Sequence, residues 1–124
     1  MNGIKYLLDS CFIIRWHEQR NEVFEIIQHL DLRYEQCAYS VISYAELFSW
    51  QHLTEIDEQG LRYLLTDVRK LPLNDEVIEV TIQIRKHHKI KLPDALILAT
   101  AKTYGLQLIT LDEKLQRIWT SEVH

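Results

Sequence analysis

The segment from Leu92 to Gly105 constrains the fold most strongly. It reads LPDALILATAKTYG, with Pro93 where a helix can begin and Gly105 where a helix commonly ends. Between them, the run ALILATA is almost wholly apolar, so this helix should be buried on most of its sides. With 124 residues and 47% hydrophobic content, the chain has the size of one ordinary domain and can bury a core. We therefore predict a single domain over residues 1–124.

Strands and helices are predicted to alternate along the chain. Three apolar runs have the length and composition of strands: Ile4 to Leu8, Cys37 to Ile42 and Gln107 to Thr110. Helical periodicity is found in four further segments: Ile13 to Leu30 with a break near Gln19 to Asn21, Ser43 to Leu53, Ile56 to Val68, and a short stretch from about Asp112. This alternation indicates an α/β domain with a mainly parallel sheet.

The segment Ile78 to Arg85 fits two structures. Its β-branched alternation fits a strand, while Val77, Val80 and Ile84 fit one face of a helix. The sequence Asn-Asp-Glu at 74–76 is a good N-terminal signal, so we predict a helix here.

The composition gives no general sign of a nucleic-acid or membrane partner. The formal net charge is -4, from 14 Lys and Arg against 18 Asp and Glu, so there is no overall basic surface. That count would mislead if several acids bound a metal at one site. No stretch approaches the roughly 18 consecutive apolar residues that span a bilayer. We expect a soluble, cytoplasmic protein without a membrane partner, in which Cys11 and Cys37 are free thiols.

Four acidic residues occupy related places at the junctions between predicted elements. Asp9 ends the first strand, and Glu46 lies in the first turn after the second. Asp94 opens the buried helix, and Asp112 follows the third strand by two residues. The carboxyl ends of the strands in an open α/β sheet form the crevice where ligands bind. We therefore expect the four acids to face one crevice.

Each acid taken alone has a structural explanation. Asp9 and Asp112 could cap the helices that follow them, and Asp94 could interact with a helix dipole. The sequence SYAE from Ser43 to Glu46 has the form of a capping box. Together, however, four carboxylates at one end of a sheet repel and raise one another's pKa unless a cation keeps them ionised.

The chemistry of the set points to a hard cation. Its ligands would all be oxygens, without Cys or His, which suits Mg²⁺ or Mn²⁺. Such an ion lowers the pKa of a water and stabilises negative charge on a phosphate. The reaction that the set best supports is therefore metal-assisted hydrolysis of a phosphodiester bond.

Four sequence stretches contain these acids and the runs around them: YLLDSCFII, SVISYAELF, LPDALILATAKTYGLQLIT and LDEKL. Together they resemble the PIN-domain ribonucleases, and within that family the small toxins of VapC type, over nearly the whole chain and in the family's order. The resemblance implies a three-layer α/β/α PIN-like fold and an endoribonuclease that depends on Mg²⁺ or Mn²⁺. It also implies a homodimer and a cognate antitoxin whose tail lies across the site.

The resemblance assigns roles to individual residues. The acidic quartet that would bind the metal and carry catalysis is Asp9, Glu46, Asp94 and Asp112. Ser10 and Thr110 match positions where the family often has a small hydroxyl or amide, so they are expected to support the carboxylates or contact phosphate. Cys11 departs from the family, in which a small polar residue is common there, and its thiol could leave a water less well held.

Two alternatives stay open at this point. A histidine ribonuclease using general acid–base catalysis could use His87 and His88, which are flanked by Lys86, Lys89 and Lys91. Such a run is usually a solvated helix end where cations favour the dipole. The same three lysines are the predicted contacts for an RNA backbone. The second alternative is a catalytically silent PIN-like module that serves binding or assembly.

Overall fold

A four-stranded parallel sheet forms the centre of the molecule. The computed structural model describes residues 3–123. Its strands are β1 (Tyr6–Leu8), β2 (Cys37–Ser40), β3 (Arg69–Leu71) and β4 (Gln107–Ile109). They lie in the order β3-β2-β1-β4, and every neighbouring pair is parallel. The predicted α/β fold with a parallel sheet is confirmed. The single domain over residues 1–124 stays a prediction, and its residues 1, 2 and 124 lie outside the described part.

Helices occupy the connections between the strands. They are α1 (Ser10–His17), α2 (Asn21–Leu30), α3 (Val41–Phe48), α4 (Glu55–Leu64), α5 (Asp75–His87), α6 (Leu92–Tyr104) and α7 (Glu113–Val123), with a 3₁₀ turn at Tyr34–Gln36. The predicted break in the first helical segment is confirmed, because Gln19 has a φ of 60° between α1 and α2. Among residues 3–123, none of the helices has the length and apolarity that crossing a membrane requires.

The sheet separates two hydrophobic cores. Adjacent side chains of a strand point to opposite faces, so Leu7 packs in one core and Leu8 in the other. The core around Leu7 includes residues of α5, α6 and α7, while the core around Leu8 includes residues of α1 to α4. This arrangement gives the three layers of the predicted α/β/α fold.

Helix α6 is the most buried helix of the fold. Every residue from Ala95 to Ala101 is buried. Pro93 lies in its first turn, and Gly105 ends it with a φ of 67°, a backbone conformation that glycine adopts without strain. The helix predicted from the Pro93–Gly105 segment is confirmed. Its first turn carries Asp94.

The predicted start of α3 was wrong. Strand β2 ends at Ser40 instead of Ile42, and the Ser40 hydroxyl caps α3 by accepting from the Ile42 N–H at 3.1 Å. Ser43 is fully buried inside the helix, where it forms no capping box with Glu46. The helix ends at Phe48, so Trp50 lies outside it. Serine is a favourable N-cap at either position, and α3 begins directly after Ser40, the last residue of β2.

Strand β3 was missed by the sequence analysis. The helix predicted to reach Val68 ends at Leu64 as α4, and Arg69–Leu71 then pairs with β2. This strand has three residues, of which Arg69 and Lys70 are exposed. Charged residues are typical of a sheet edge that is protected from further pairing, and they conceal the strand from apolar periodicity.

Helix α5 is confirmed, and α7 is longer than predicted. The Asn74 side chain caps α5 by accepting from the Val77 N–H at 2.9 Å. Helix α7 runs for 11 residues and buries Leu115 and Trp119. It packs against α6 and completes the core on that side of the sheet.

Candidate functional site

Asp9 stands at the carboxyl end of the central strand β1. It is only 5% exposed, and its backbone has left the strand to begin α1. Carboxylate Oδ1 accepts a hydrogen bond from the Phe12 N–H at 2.8 Å, so Asp9 is also the N-cap of that helix. The capping explanation for Asp9 is therefore correct, and it fixes the carboxylate at the sheet edge.

Thr110 connects Asp9 to the neighbouring strand end. Its hydroxyl donates to Oδ2 of Asp9 and accepts from the Asp112 N–H at 3.0 Å. Oδ1 of Asp112 in turn accepts from the Leu115 N–H at 3.0 Å, which caps the start of α7. One hydroxyl group thus ties the ends of β1 and β4 together.

Glu46 reaches the site from α3. The Ser10 hydroxyl, next to Asp9 in the chain, donates to Oε1 of Glu46 at 2.8 Å. Because α3 begins at Val41, Glu46 is the sixth residue of the helix and lies in its second turn, not in the first turn as predicted. The side chain is exposed, so its second oxygen can reach a ligand.

Asp94 enters from the first turn of the buried helix α6. It is half-buried, and among residues 3–123 no hydrogen bond to its carboxylate is formed. Burial raises the pKa of Asp94, and the negative charge of Asp112 raises this pKa further. The positive charges of Lys91 and Lys114 act in the opposite direction.

The charges of three acids act on one another. Burial is the main cause of the raised pKa of Asp9, which the hydrogen bonds from Thr110 and Phe12 only partly offset. The charges of Asp112 and Asp94 then raise the pKa of Asp9 further. Glu46 joins this group through its hydrogen bond to Ser10. The structure thus brings Asp9, Asp94 and Asp112 into mutual electrostatic range and attaches Glu46 beside them.

The donor chemistry of this site fits a hard divalent cation. Each carboxylate has about four lone-pair sites, more than its hydrogen bonds use, and mutual repulsion favours a cation among them. In the part of the chain that the structure describes, however, no three His, Cys, Asp or Glu side chains converge closely enough to hold an ion together. The residues that could hold Mg²⁺ or Mn²⁺ are therefore near one another without forming a closed set of ligands.

Two lysines line the acidic cleft. The cleft has a volume of about 180 Å³ and contains Lys91 and Lys114 together with Asp94 and Asp112. Lys114 was missed by the sequence analysis, although its place at the start of a helix two residues after Asp112 was a usable signal. Lys86 instead lines a separate groove on α5. Lys89 is exposed between α5 and α6.

His87 and His88, the histidines of the alternative mechanism, contact groups outside the acidic quartet. His88 Nε2 lies 2.7 Å from Oε2 of Glu122, and Lys102 contacts the same carboxylate at 2.9 Å. His87 Nδ1 lies 2.7 Å from the Gln83 carbonyl oxygen. The contacts of Glu122 join α7 to α6 and to His88 directly after α5, while the His87 contact lies within α5, and none of these contacts involves the acidic quartet.

Cys11 lies on the first turn of α1, beside the site. It is half-buried, and burial followed by the charge of Asp9 raises the pKa of its thiol. A raised pKa keeps the sulfur protonated, and a protonated thiol is a poor nucleophile and a poor metal ligand. Cys37 is buried in the core, where burial raises its pKa to about 12.

Comparisons with known proteins identify the fold independently. The model of the family described as PIN domain matches residues 6–119. A toxin–antitoxin complex from Klebsiella pneumoniae contains a chain that is 28% identical, with a TM-score of 0.76 over 89% of this chain and 88% of that one. FitAcB from Neisseria gonorrhoeae is 26% identical, with a TM-score of 0.70 over 93% of each chain. VapBC2 from Rickettsia felis, bound to a promoter DNA fragment, shares the fold at 18% identity, with a TM-score of 0.75 over 93% of each chain. No curated protein matches the sequence.

Proposed function

This chain belongs to the PIN domain family, and on that premise we propose that it is a metal-dependent endoribonuclease, the toxin component of a toxin–antitoxin pair. The observation that carries the proposal is the placement of three acids at one end of the sheet: the Thr110 hydroxyl joins the Asp9 carboxylate to the Asp112 N–H, and Asp94 and Asp112 line one cleft. Keeping such acids close together is costly unless a cation occupies the space between them. A metal-dependent reaction on a phosphodiester would explain why these acids lie close together.

The acidic quartet would hold Mg²⁺ or Mn²⁺. When bound, such an ion activates a water for attack and stabilises the charge that develops on the phosphate. Without a cation, the carboxylates would repel the RNA backbone, because both are negatively charged.

The side chains around the quartet act as positioning residues. Thr110 and the Phe12 N–H together restrict the orientation of the Asp9 carboxylate. Ser10 does the same for Glu46 through the hydrogen bond at 2.8 Å. Partners of this kind orient the ligands of a metal site and are often as sensitive to mutation as the ligands.

The proposed partners follow from the family and from charge. The Klebsiella pneumoniae neighbour is a toxin–antitoxin complex, which supports an antitoxin partner for this chain. An acidic site would attract an Arg or Lys from that partner, because opposite charges across an interface favour docking. The resemblance to VapC-type toxins supports two further proposals, a homodimer and a location in the cytoplasm.

Cleavage of RNA in the presence and absence of metal tests the proposed function. The purified chain should cleave RNA with Mg²⁺ or Mn²⁺ and stop in excess EDTA, leaving 5′-phosphate and 3′-hydroxyl ends. Full activity in EDTA would overturn the metal-dependent reaction. Products with a 2′,3′-cyclic phosphate would favour the histidine mechanism, and binding without cleavage would favour the silent module.

A further inference from the structure

The acidic cleft contains as many positive side chains as negative ones. Lys91 and Lys114 line it beside Asp94 and Asp112, and Ile90, Leu115 and Ile118 complete its walls. The two lysines help to keep Asp94 ionised, but their ammonium groups also compete with a cation for the carboxylates. Ammonium groups next to a metal site suit a negatively charged ligand such as a phosphate.

The two lysines come from the starts of two neighbouring helices. Lys91 immediately precedes α6, and Lys114 is the second residue of α7. Their main chains are fixed by these helices, while the long side chains are exposed and free to adjust. A lysine ammonium acts as a mobile point charge, which suits contact with a phosphate of variable position.

The ammonium groups of Lys91 and Lys114 are not engaged in ion pairs with carboxylates of residues 3–123. The ion pairs to carboxylates in this part of the chain involve other basic residues. Both nevertheless lie close enough to Asp94 to lower its pKa against the effect of burial. Each ammonium is therefore near the carboxylates and still available to a ligand.

Other exposed basic residues, such as Arg69 and Lys70 of β3, do not line this cleft. The formal net charge is -4, and Lys86 lines a groove with apolar residues of α5 and α6. Affinity for a nucleic-acid backbone comes mainly from lysines and arginines that neutralise phosphates. On an acidic protein, cations placed next to the carboxylates have a large effect on whether RNA can approach them.

We propose that Lys91 and Lys114 form a phosphate clamp, in which both ammonium groups contact the RNA backbone beside the acidic quartet. The ligand class is a single-stranded phosphodiester, and the clamp places it across the starts of α6 and α7. This inference rests on the proposed ribonuclease function and adds a specific path for the substrate. Of the three lysines that the sequence predicts to contact RNA, the clamp includes only Lys91, because Lys86 and Lys89 do not line this cleft.

The salt dependence of RNA binding tests the phosphate clamp. Lys91→Gln, Lys114→Gln and the double variant are compared with wild type. Lys5→Gln is the matched control, because Lys5 is exposed and precedes β1 at the end of the sheet opposite the acids. The probe is a fluorescein-labelled single-stranded oligoribonucleotide, and binding is followed by anisotropy with Ca²⁺ replacing Mg²⁺. The slope of log Kobs against log salt should become shallower by about 0.7 for each clamp lysine removed, and by about 1.4 in the double variant. Lys5→Gln should leave the slope unchanged.

Three outcomes would overturn the clamp. An unchanged slope in the double variant, in a protein that still cleaves RNA, would refute the clamp and leave the proposed function intact. An unchanged slope with altered Mn²⁺ affinity would mean that the lysines act only on Asp94. A wild-type chain that neither binds nor cleaves RNA with Mg²⁺ or Mn²⁺ would refute the clamp and the proposed function together.

Discussion

The hydroxyl of Thr110 donates a hydrogen bond to Oδ2 of Asp9, across 101 positions of sequence. The bond joins the carboxyl ends of β4 and β1 and stabilises a carboxylate that burial would otherwise favour in its protonated form. The same hydroxyl accepts from the Asp112 N–H at 3.0 Å. Two acids of the quartet therefore depend on one threonine for their relative position.

Replacing Thr110 with Val tests this dependence. The change keeps the shape of the side chain but removes the hydroxyl, so the Asp9 carboxylate loses a donor and its pKa should rise further. We expect metal affinity or RNA cleavage to fall by about 10- to 100-fold, and the free energy of unfolding to fall by about 1–3 kcal/mol. Thr110→Ser keeps the hydroxyl, so it should retain most of the metal affinity or cleavage and most of the free energy of unfolding. Thr120→Val, on the surface of α7, is the control, and equal effects of both Val variants would contradict the role of Thr110.

Removal of charge at Asp94 should separate stability from function. In EDTA, Asp94→Asn should melt at the same temperature as wild type or higher, because it relieves repulsion with Asp112 and a desolvation cost. The variant should also lose cleavage and the rise in melting temperature that Mn²⁺ gives the wild type. Asp67→Asn, at an exposed position far along the chain, should change neither property. A large loss of stability in EDTA would contradict the expected relief of repulsion, and an unchanged response to Mn²⁺ would contradict metal binding by Asp94.

The metal-free protein should become less stable as the carboxylates ionise. In the folded chain the pKa values of Asp9 and Asp94 are raised by burial above the ordinary value of 3.8, so the folded state binds their protons more tightly than the unfolded state. Their contribution to stability is present below pH 3.8 and is lost as the pH rises through the folded-state pKa values.

A comparison of wild type with the Asp9→Asn, Asp94→Asn double variant isolates the contribution of these two carboxylates to stability. Asp57 and Glu122, whose pKa values are lowered by side-chain hydrogen bonds, act in the opposite direction but are present in both proteins. Urea unfolding in EDTA should therefore show that wild type loses stability relative to the Asp9→Asn, Asp94→Asn double variant as pH rises above 3.8. Parallel curves for the two proteins would mean that these carboxylates titrate normally.

The close packing of α1 on α4 depends on Gly60. A Cβ built at Gly60 would lie 2.5 Å from Cε1 of His17, whose ring is held by Asp57 at 3.1 Å. Gly60→Ala would gain about 1 kcal/mol of helix propensity and lose about 1–3 kcal/mol through overpacking. We expect a net loss of stability, measured by urea unfolding. In a double-mutant cycle with His17→Ala the two changes should couple favourably, and strict additivity would contradict the steric explanation.

The parts of the fold that could be predicted are those with unambiguous local signals. Helix α6 has Pro93, Gly105 and a continuous apolar run, and the parallel strands at β1, β2 and β4 have apolar segments of suitable length. Strand β3 could not be predicted in this way, because an exposed Arg69-Lys70 pair at a sheet edge lacks apolar alternation. The start of α3 depended on where β2 stops pairing, which is set by tertiary structure.

The candidate site was predictable in its acids and less so in their surroundings. Asp9 and Asp112 could be grouped because strand ends of a parallel sheet share an edge, and Asp94 because the helix that it opens could face the same crevice. Their assignment as metal ligands stays a prediction. The position of Lys114 two residues after Asp112 was visible in the sequence, but its proximity to Asp94 depends on how α7 packs against α6. The hydrogen bond between Ser10 and Glu46 likewise depends on the packing of α1 against α3.

The central claim is that the acidic quartet shares a divalent cation, and anomalous diffraction from crystals soaked in Mn²⁺ tests it most directly. We predict a manganese peak about 2.1 Å from carboxylate oxygens of both Asp9 and Asp94, and its loss in crystals of Asp94→Asn. A manganese peak bound away from Asp9 and Asp94, with none between them, would contradict the account.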